Sequence, residues 1–365
     1  MSGNFVQRGM PALVDKWTRA QMAIENGVDL VIELPLIYSI ASAEGFSKGA
    51  IKILNNTGVV NNIYFGSEHG SIDNLNKIAD VLVSEPKAYK VLLKDNLKTG
   101  LPFHTARSNS LSEYLTNIPC KDILSSSNNI LAIEYLKSLK KCHSNIQPFT
   151  LKRTGSAYND TQISSSFSSA TSIREALKNG NSLNDIKNCI PINTFKILNK
   201  LKNNNYSFVY NEDIFPFLKY KLLTEGENIK KILDVKECLD NKILKEVTSA
   251  SSLDELIMKI KSKRYTYTRI SRILTSFFIG LENYDLEFLL NNNYDYVRPL
   301  AFNCKGSKIL KEIKKAGNID IITKLPKKIT NPKLELDILG TKAYSILNSS
   351  VSPFADYLTC PLYIK

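Results

Sequence analysis

The stretch Gly27-Val-Asp-Leu-Val-Ile-Glu-Leu-Pro35 decides the fold, because a short continuous apolar run closed by a proline is typical of a buried strand of the parallel type. Before it, apolar residues recur at helical spacing over 12–26. After it, residues 41–56 again have the helical pattern, and residues 62–65 form a second short apolar run. The alternation of helices and strands predicts an α/β fold with an open parallel sheet.

The same alternation continues to about residue 180 and then fades. Further on, the pattern predicts a helix at 130–139, a strand at 147–151 and a helix at 170–178. Beyond residue 190, strand signals become sparse; lysine-rich amphipathic helices are predicted at 213–223, 241–248 and 253–261, and one late strand at 319–325. Because 365 residues exceed the usual ceiling for one core, we expect two domains, 1–190 and a mainly helical 191–365.

Composition excludes several classes of protein. Forty-three per cent hydrophobic and 23% charged residues are ordinary for a globular chain. The chain has neither an apolar run long enough to span a membrane nor a signal-peptide layout, so we expect a cytoplasmic protein. Its 6 cysteines lack a C-x-x-C pair and its 3 histidines lack ligand spacing, so no metal site is predicted.

The net charge of +13, from 48 Lys and Arg against 35 Asp and Glu, favours a polyanionic partner. A general lysine bias of the proteome explains the charge equally well. The residues at 261–272 are more specific, because Arg264, Tyr265, Arg269 and Arg272 interleave cations with an aromatic ring, as RNA-binding segments do. A solvated basic helix start is the alternative. Further cations that would extend this surface are Arg298, Lys305 and Lys308.

A small-molecule site is predicted where strands end, since ligands of open parallel sheets bind beyond the carboxyl ends of the strands. Gly66 follows the second strand and would let the backbone approach a ligand, with Ser67 and Glu68 placed to contact ribose or adenine. A plain strand-ending turn is the alternative. Arg153, just after the strand at 147–151, adds a cation at a second strand end.

Two predicted helix starts carry further polar groups. Ser168-Ser-Ala-Thr-Ser-Ile-Arg174 places hydroxyls, including that of Ser172, and the guanidinium of Arg174 where freed amides attract phosphate. Asn128 and Asn129 precede the helix at 130–139. Helix capping is the alternative for both sites, and it is expected to hold for one of the two asparagines.

The opening residues 1–11 form a polar, glycine-bearing loop that leads into a helix containing Lys16 and Arg19. Such a loop normally follows a strand, so we expect a first strand to be missing from this sequence. The alternative is a frayed terminus. Arg8, Lys16 and Arg19 lie near the expected pocket, but the pattern assigns no catalytic role to any residue.

Together these segments resemble the tRNA(Met) cytidine acetate ligases, and the resemblance spans essentially the whole chain. It rests on the following stretches, in order: Ser2-Gly-Asn-Phe-Val-Gln-Arg-Gly9, Asp15-Lys-Trp-Thr-Arg19, Gly27-Val-Asp-Leu-Val-Ile-Glu-Leu-Pro35, Phe65-Gly-Ser-Glu68, Asn128-Asn-Ile-Leu131, Ser169-Ala-Thr-Ser-Ile-Arg174, Arg264-Tyr-Thr-Tyr-Thr-Arg269 and residues 337–345.

The resemblance implies a Rossmann-like nucleotidyltransferase domain of the HUP type, followed by a helical tRNA-binding domain. It implies activation of acetate with ATP and Mg²⁺ to acetyl-adenylate, then acetylation of N4 of the wobble cytidine in elongator tRNA(Met). The implied ATP contacts are Gly66, Asn128, Arg153, Ser172 and Arg174. The oligomeric state is not implied.

One departure from the family concerns its His-containing Asn-Pro-Phe-His-Asn-Gly-His loop, which should hold the ATP phosphates. This sequence lacks that loop, and His69, His104 and His143 lie in the wrong contexts to replace it. We therefore expect either a sequence started at an internal methionine, which we favour, or a shortened, inactive protein. The alternative functions are a non-catalytic RNA-binding protein and a small-molecule adenylyltransferase, although the latter lacks a large basic helical domain.

Overall fold

The computed structural model describes residues 1–153 and 168–365. The strands are β1 Phe5–Val6, β2 Met10–Pro11, β3 Leu30–Ile32, β4 Asn62–Ser67, β5 Gln147–Lys152, β6 Tyr296–Val297, β7 Pro299–Phe302, β8 Asp320–Ile321 and β9 Leu362–Tyr363. The helices of the first half are α1 Lys16–Glu25, α2 Leu36–Ser39, α3 Ala43–Asn56, α4 Ile72–Ser84, α5 Lys87–Lys98, α6 Phe103–Tyr114, α7 Cys120–Ser125, α8 Ser127–Lys141 and α9 Ala170–Lys178.

The second half is mainly helical. Its helices are α10 Ile192–Asn203, α11 Phe215–Glu225, α12 Leu239–Val247, α13 Leu253–Ile260, α14 Tyr267–Ile279, α15 Leu286–Asn291, α16 Cys304–Ala316, α17 Pro332–Leu347 and α18 Ala355–Leu358. Short 3-10 helices lie at Leu183–Cys189, Asn211–Ile214, Gly226–Lys231 and Leu281–Asn283.

The α/β class predicted from the sequence is confirmed, with parallel pairing between β4 and β5. These strands pair in register from Asn62 opposite Gln147 to Ser67 opposite Lys152. Helices α3, α4 and α8 pack on one face, where Ile63 and Phe65 join a buried apolar cluster. The pair therefore carries two neighbouring carboxyl ends, at Ser67 and Lys152, on which a site can be built.

Strand β3 differs from the predicted parallel strand. It pairs antiparallel with β7, so that Leu30 lies opposite Phe302 and Val31 opposite Ala301, and β7 in turn pairs parallel with β9. Parallel pairing is present at the end of the same run, where Leu34 bridges to Ser2. The antiparallel partner of β3 itself was not predicted, because an apolar run shows that a strand is buried, but not which distant strand lies beside it.

The opening residues form a hairpin and not only a loop. Strands β1 and β2 pair antiparallel, Phe5 opposite Pro11, and Gly9 makes the turn at a φ of +71°. Phe5 is fully buried and packs edge-on against Phe278 and Tyr344 from the far end of the chain. The hairpin is therefore part of the core.

Apolar packing joins the two halves of the sequence. The largest buried cluster contains Trp17 and Val31 from the first half together with Ile270, Phe277 and many other residues of the second. A second cluster lies under β4 and β5, and a third includes Leu177 and Leu198. The boundary at residue 190 stays a prediction, but the main core lies on both sides of it.

A buried group of charged side chains lies beneath the hairpin. The Nζ of Lys16 donates to the carboxylate of Glu33 at 2.8 Å and lies 2.7 Å from Oδ1 of Asp356. Arg298 Nη2 donates to the same Asp356 oxygen at 2.7 Å. Because each charge has an opposite partner, the group links α1 and β3 to the C-terminal residues. Arg298 is only 5% exposed, so the prediction that it extends an RNA surface was wrong.

Within residues 1–153 and 168–365, no helix is both long and apolar enough to cross a membrane. Over the same residues, no three His, Cys, Asp or Glu side chains converge as a metal site would require.

Candidate functional site

Gly66 and Arg153 lie side by side at the carboxyl ends of β4 and β5. The Arg153 backbone N–H donates to Ser67 O at 2.9 Å, which continues the pairing one residue beyond β5. A Cβ on Gly66 would lie 3.2 Å from Arg153 Cγ and 3.6 Å from its Cδ. The bare glycine therefore lets the arginine stem lie across the strand end, and both residues are exposed.

The hydroxyl of Ser67 braces the turn that follows β4. Its Oγ lies 2.8 Å from Thr150 Oγ1 and accepts a hydrogen bond from Gly70 N at 2.9 Å. Ser67 is fully buried, so the prediction that its side chain contacts ribose was wrong. A serine after a strand has the same sequence signature whether its hydroxyl faces a ligand or the turn.

Glu68 connects this strand end to the start of α8. Its Oε1 accepts from Asn128 Nδ2 at 2.7 Å, and its Oε2 accepts from Asn129 N at 2.9 Å. A carboxylate at this position satisfies freed amides and complements the helix dipole. The carboxylate thus fixes Asn128 close to the end of β4, as expected if Asn128 and Gly66 serve one ligand.

Asn129 has a structural role, but it does not cap the helix: the N-cap of α8 is Ser126, and Asn129 lies within the first turn, so the N-cap expected for one of the two asparagines is not observed. It is 2% exposed, its Nδ2 donates to Ile123 O at 3.1 Å and its Oδ1 accepts from His69 N at 3.0 Å. These bonds join the end of α7 to the turn after β4.

The serine hydroxyls at the start of α9 bond within the helix end. Ser169 caps the helix by accepting from Ser172 N at 3.1 Å, and the Ser172 hydroxyl donates back to Ser169 O at 2.8 Å. Ser172 is fully buried, so its hydroxyl does not face a phosphate as predicted. Clustered serines indicated the helix start correctly, but their hydroxyls serve the cap.

Helix α9 packs against the N-terminal hairpin through two arginines. Arg8 Nη1 donates to Thr171 Oγ1 at 3.0 Å, and Arg174 Nη1 lies 3.4 Å from Met10 Sδ. Residues 154–167, between β5 and α9, lie outside the described part of the chain. Arg174 therefore lies beside the hairpin in this structure.

The hairpin in turn lies directly on helix α14. The carbonyl oxygen of Gly9 accepts from Ser271 Oγ at 2.6 Å and from Thr275 Oγ1 at 2.7 Å. A Cβ on Gly9 would meet the Arg272 backbone N at 2.3 Å, so only glycine allows this approach. Glycine also suits the positive φ of the turn.

A cavity of about 240 Å³ lies where these elements meet. Its lining comes from the hairpin, the starts of α3 and α8, and helix α14, and consists of Gln7, Arg8, Ala43, Ser127, Asn128, Ile130, Leu131, Thr268 and Arg272. We call it the hairpin cavity. It brings Asn128, a predicted nucleotide residue, together with Arg272, a predicted RNA residue, and adds Arg8, to which the sequence assigned no role.

A larger cavity, about 540 Å³, lies beside β3. Its lining is mostly apolar, as with Val31, Phe46 and Ile53, and includes none of the predicted site residues. Its chemistry does not suit a charged nucleotide, so the hairpin cavity and the adjoining strand ends are the better candidate.

The basic segment before and within α14 is only partly available to RNA. Arg264 is exposed and pairs with Glu237 at 2.8 Å. Arg269 donates to Asp234 O at 3.1 Å and stacks 4.6 Å from the ring centre of Tyr265. Tyr265 is 7% exposed and its hydroxyl donates to Lys236 O, so the prediction that it stacks on a base was wrong.

Comparison with known proteins places this geometry in context. The sequence profile of the family described as HIGH Nucleotidyl Transferase matches residues 1–356. A curated relative, the tRNA(Met) cytidine acetate ligase of Clostridium novyi (strain NT), is 52% identical over 100% of this chain and 91% of the relative. The protein of that name from Clostridium botulinum (strain Okra / Type B1) is 47% identical, over 100% of this chain and 90% of the relative.

Solved structures agree with the sequence relatives. The apo crystal structure of Thermotoga maritima TmcAL is 31% identical and matches with a TM-score of 0.91, covering 100% of this chain and 91% of that one. The same protein bound with alpha-thio ATP matches with a TM-score of 0.87, at the same identity and coverage.

Proposed function

The chain belongs to the tRNA(Met) cytidine acetate ligases, within the HIGH Nucleotidyl Transferase family, and we propose that it is an ATP-dependent ligase that acetylates a cytidine of tRNA(Met). The observation that carries the proposal is the hairpin cavity, which adjoins the strand-end residues and reaches the basic helix α14. An enzyme that activates a small acid and passes it to RNA needs both surfaces at one place.

The proposed reaction has two steps. An oxygen of acetate attacks the α-phosphorus of ATP, the bond to the bridging oxygen of the β-phosphate breaks, and acetyl-adenylate and pyrophosphate form. The N4 nitrogen of the wobble cytidine of elongator tRNA(Met) then attacks the acetyl carbon. The carbon–oxygen bond to AMP breaks, AMP leaves with the electron pair, and N4 loses one proton. Mg²⁺ accompanies ATP as its usual counter-ion, and a tRNA substrate implies a cytoplasmic enzyme.

For ATP we propose Gly66, Asn128 and Arg153 as contacts, with Arg174 beside the hairpin. Gly66 and Arg153 lie side by side, and a hydrogen bond to Glu68 holds Asn128 near them. This arrangement supports one ligand shared by all three residues. Ser172 is left out because its hydroxyl is buried. Residues 1–190 would then form the ATP-binding unit and 191–365 the tRNA-binding unit.

For tRNA we propose Arg264 and Arg269, which belong to the same basic segment as Thr268 and Arg272 of the hairpin cavity. Arg264 has an exposed side chain, and its ion pair with Glu237 lies in solvent, where such a pair is worth little and a phosphate can replace it. Replacing either arginine with glutamine should weaken tRNA binding and reduce its salt slope by about one. ATP affinity should not change.

The decisive experiment incubates the chain with ATP, ¹⁴C-acetate and tRNA(Met) transcript, and measures acetylated cytidine after nuclease digestion. The matched control is the same transcript with uridine at the wobble position, which lacks the N4 amino group. Labelled cytidine from the first transcript alone supports the proposal. If the chain binds tRNA without ever forming the product, the non-catalytic RNA-binding reading replaces it.

A further inference from the structure

The hairpin cavity contains two arginines from distant parts of the chain. Arg8 comes from the hairpin turn and Arg272 from α14, and the contact of Gly9 with the backbone of α14 fixes their separation. No aspartate or glutamate is among the described residues that line the cavity. Two guanidinium groups, which stay charged at any physiological pH, thus face one small space.

The charge of Arg272 is incompletely satisfied. Its Nε is buried and, within the described residues, has no hydrogen-bond partner. Burial lowers the pKa of Arg272 and neighbouring Arg269 lowers it further, while Asp234 acts in the opposite direction. The Asp234 carboxylate also lies 3.5 Å from Arg269, so it is shared between two cations. A partly buried cation of this kind is stabilised when an anion binds beside it.

A second carboxylate, that of Glu68, is already engaged. Glu68 holds the N-terminus of α8 through Asn128 and Asn129 and does not line the cavity. Asn128 therefore forms a wall shared by the strand-end site and the cavity. A ligand bound at Gly66 and Asn128 would extend its charged end towards Arg8 and Arg272.

The size and lining of the cavity suit a small group. A volume of about 240 Å³ corresponds to roughly eight water molecules, below the usual range for a whole drug-sized ligand. Next to the cations lie apolar side chains of Ala43, Ile130 and Leu131, which suit a methyl group. Acetate, or the phosphates at one end of ATP, meets these conditions.

We propose that Arg8 and Arg272 together bind a small oxyanion of the activation step, either the carboxylate of acetate or the phosphates of ATP. This proposal rests on the proposed function, because it names the ligand of the same site. Under this proposal Arg272 binds the anion and not tRNA, the ligand that the sequence pattern had assigned to Arg272.

The test measures binding of three probes to the full chain at constant ionic strength. Pyrophosphate and ATP are titrated by calorimetry, and ¹³C-acetate is followed by NMR line broadening. The variants are Arg8→Gln, Arg272→Gln and Arg272→Lys, and Arg107→Gln is the matched control, since it removes a half-buried arginine of α6 that lies outside the cavity. Circular dichroism checks folding, and Arg8→Gln, which leaves α14 unchanged, still decides the question if Arg272→Gln does not fold.

Loss of a charge-assisted bond should raise the Kd of the bound anion about tenfold or more in both glutamine variants. Arg272→Lys should recover part of this loss, because lysine keeps the charge without the fork of donors. Weaker binding of pyrophosphate and ATP identifies the phosphates as the ligand, and weaker binding of acetate alone identifies the carboxylate. Unchanged affinity for all three probes overturns the proposal, including when tRNA binding falls.

The outcome is separable from that of the proposed function. If the unmodified chain forms acetylcytidine while the variants keep their anion affinities, the inference fails and the function stands. If the variants lose anion binding while the unmodified chain forms no acetylcytidine, the anion site stands and the reaction is a different one.

Discussion

Gly9→Ala tests whether docking of the hairpin on α14 builds the site. The added Cβ would lie 2.3 Å from Arg272 N and 2.5 Å from its Cα, both backbone atoms of a buried helix that cannot move aside. The hairpin must therefore lift off α14. It would then lose the hydrogen bonds that Gly9 O accepts from Ser271 and Thr275.

The expected loss of stability in Gly9→Ala has two contributions. An alanine at a φ of +71° is strained by about 1 to 2 kcal/mol. Each lost hydrogen bond to a buried carbonyl contributes about 1 kcal/mol more. The free energy of unfolding should thus fall by about 3 to 4 kcal/mol. Because Arg8 adjoins Gly9, ATP or pyrophosphate affinity should fall as well.

Gly27→Ala is the matched control, because Gly27 has a φ of +102° and nothing within 4 Å of the added carbon. Its free energy of unfolding should fall only by the cost of the backbone strain, about 1 to 2 kcal/mol, and its ligand affinity should not change. Urea denaturation followed by circular dichroism gives both free energies. Equal losses in the two variants would refute the reasoning, since they would show that contact with α14 contributes nothing.

Three further predictions concern stability. Burial, and then Glu33, raise the pKa of Asp337 to about 7, so the folded state binds this proton more tightly than the unfolded chain and loses that advantage as pH rises through 7. The free energy of unfolding should fall by about 1.4 kcal/mol between pH 6 and pH 8, and Asp337→Asn should remove this fall in urea titrations at both pH values. Asn129→Ala leaves His69 N–H and Ile123 C=O unpaired and should lower the free energy of unfolding by about 2 to 4 kcal/mol; a loss below 1 kcal/mol by urea denaturation would contradict the role given to Asn129. Glu68→Gln should lose about 1 kcal/mol, because the amide keeps the shape but not the charge at the start of α8, and an unchanged thermal midpoint would show that the charge there is unimportant.

Local patterns predicted the local elements well. Helix α9 begins and ends where the sequence predicts, and β4 and β5 extend only slightly beyond their predicted ends. Each of these elements has its signal within its own residues: a serine cap, an apolar run or a glycine at the end. The positions of Gly66, Asn128 and Arg153 near one another follow from the parallel pairing of two such strands.

Long-range relations were not predictable. The partner of β3 lies about 270 residues away, and nothing in the run around Val31 distinguishes β7 from any other strand. The predicted strand at 319–325 shortens to β8, Asp320–Ile321: the Ile322 N–H still donates to Val297 O, and the side chains of Ile322 and Leu325 pack in the cluster around Leu334. An alternating pattern records burial of every second residue, and a loop can bury them as well as a strand can.

The sequence also did not predict which bonds the polar side chains of the site make. Ser172 and Tyr265 have residue types that suit phosphate and base contacts, but the Ser172 hydroxyl donates to the cap residue Ser169 and Tyr265 packs under Arg269. Arg272 shares the basic pattern of Arg264, and only the fold separates them, placing Arg272 in the hairpin cavity and Arg264 in solvent. Residue type specifies which bonds a side chain can make, and packing decides which of them it makes.

The position of the cavity also explains why its residues come from both halves of the chain. Asn128 belongs to the α/β part, Arg272 to the helical part, and the hairpin that carries Arg8 is fixed to both, through Thr171 on α9 and Thr275 on α14. Neither half alone can hold the two arginines at a fixed separation. If small anions bind there, occupancy should stabilise the contact between the halves, so that activation of a small acid and the placement of tRNA depend on the same packed hairpin.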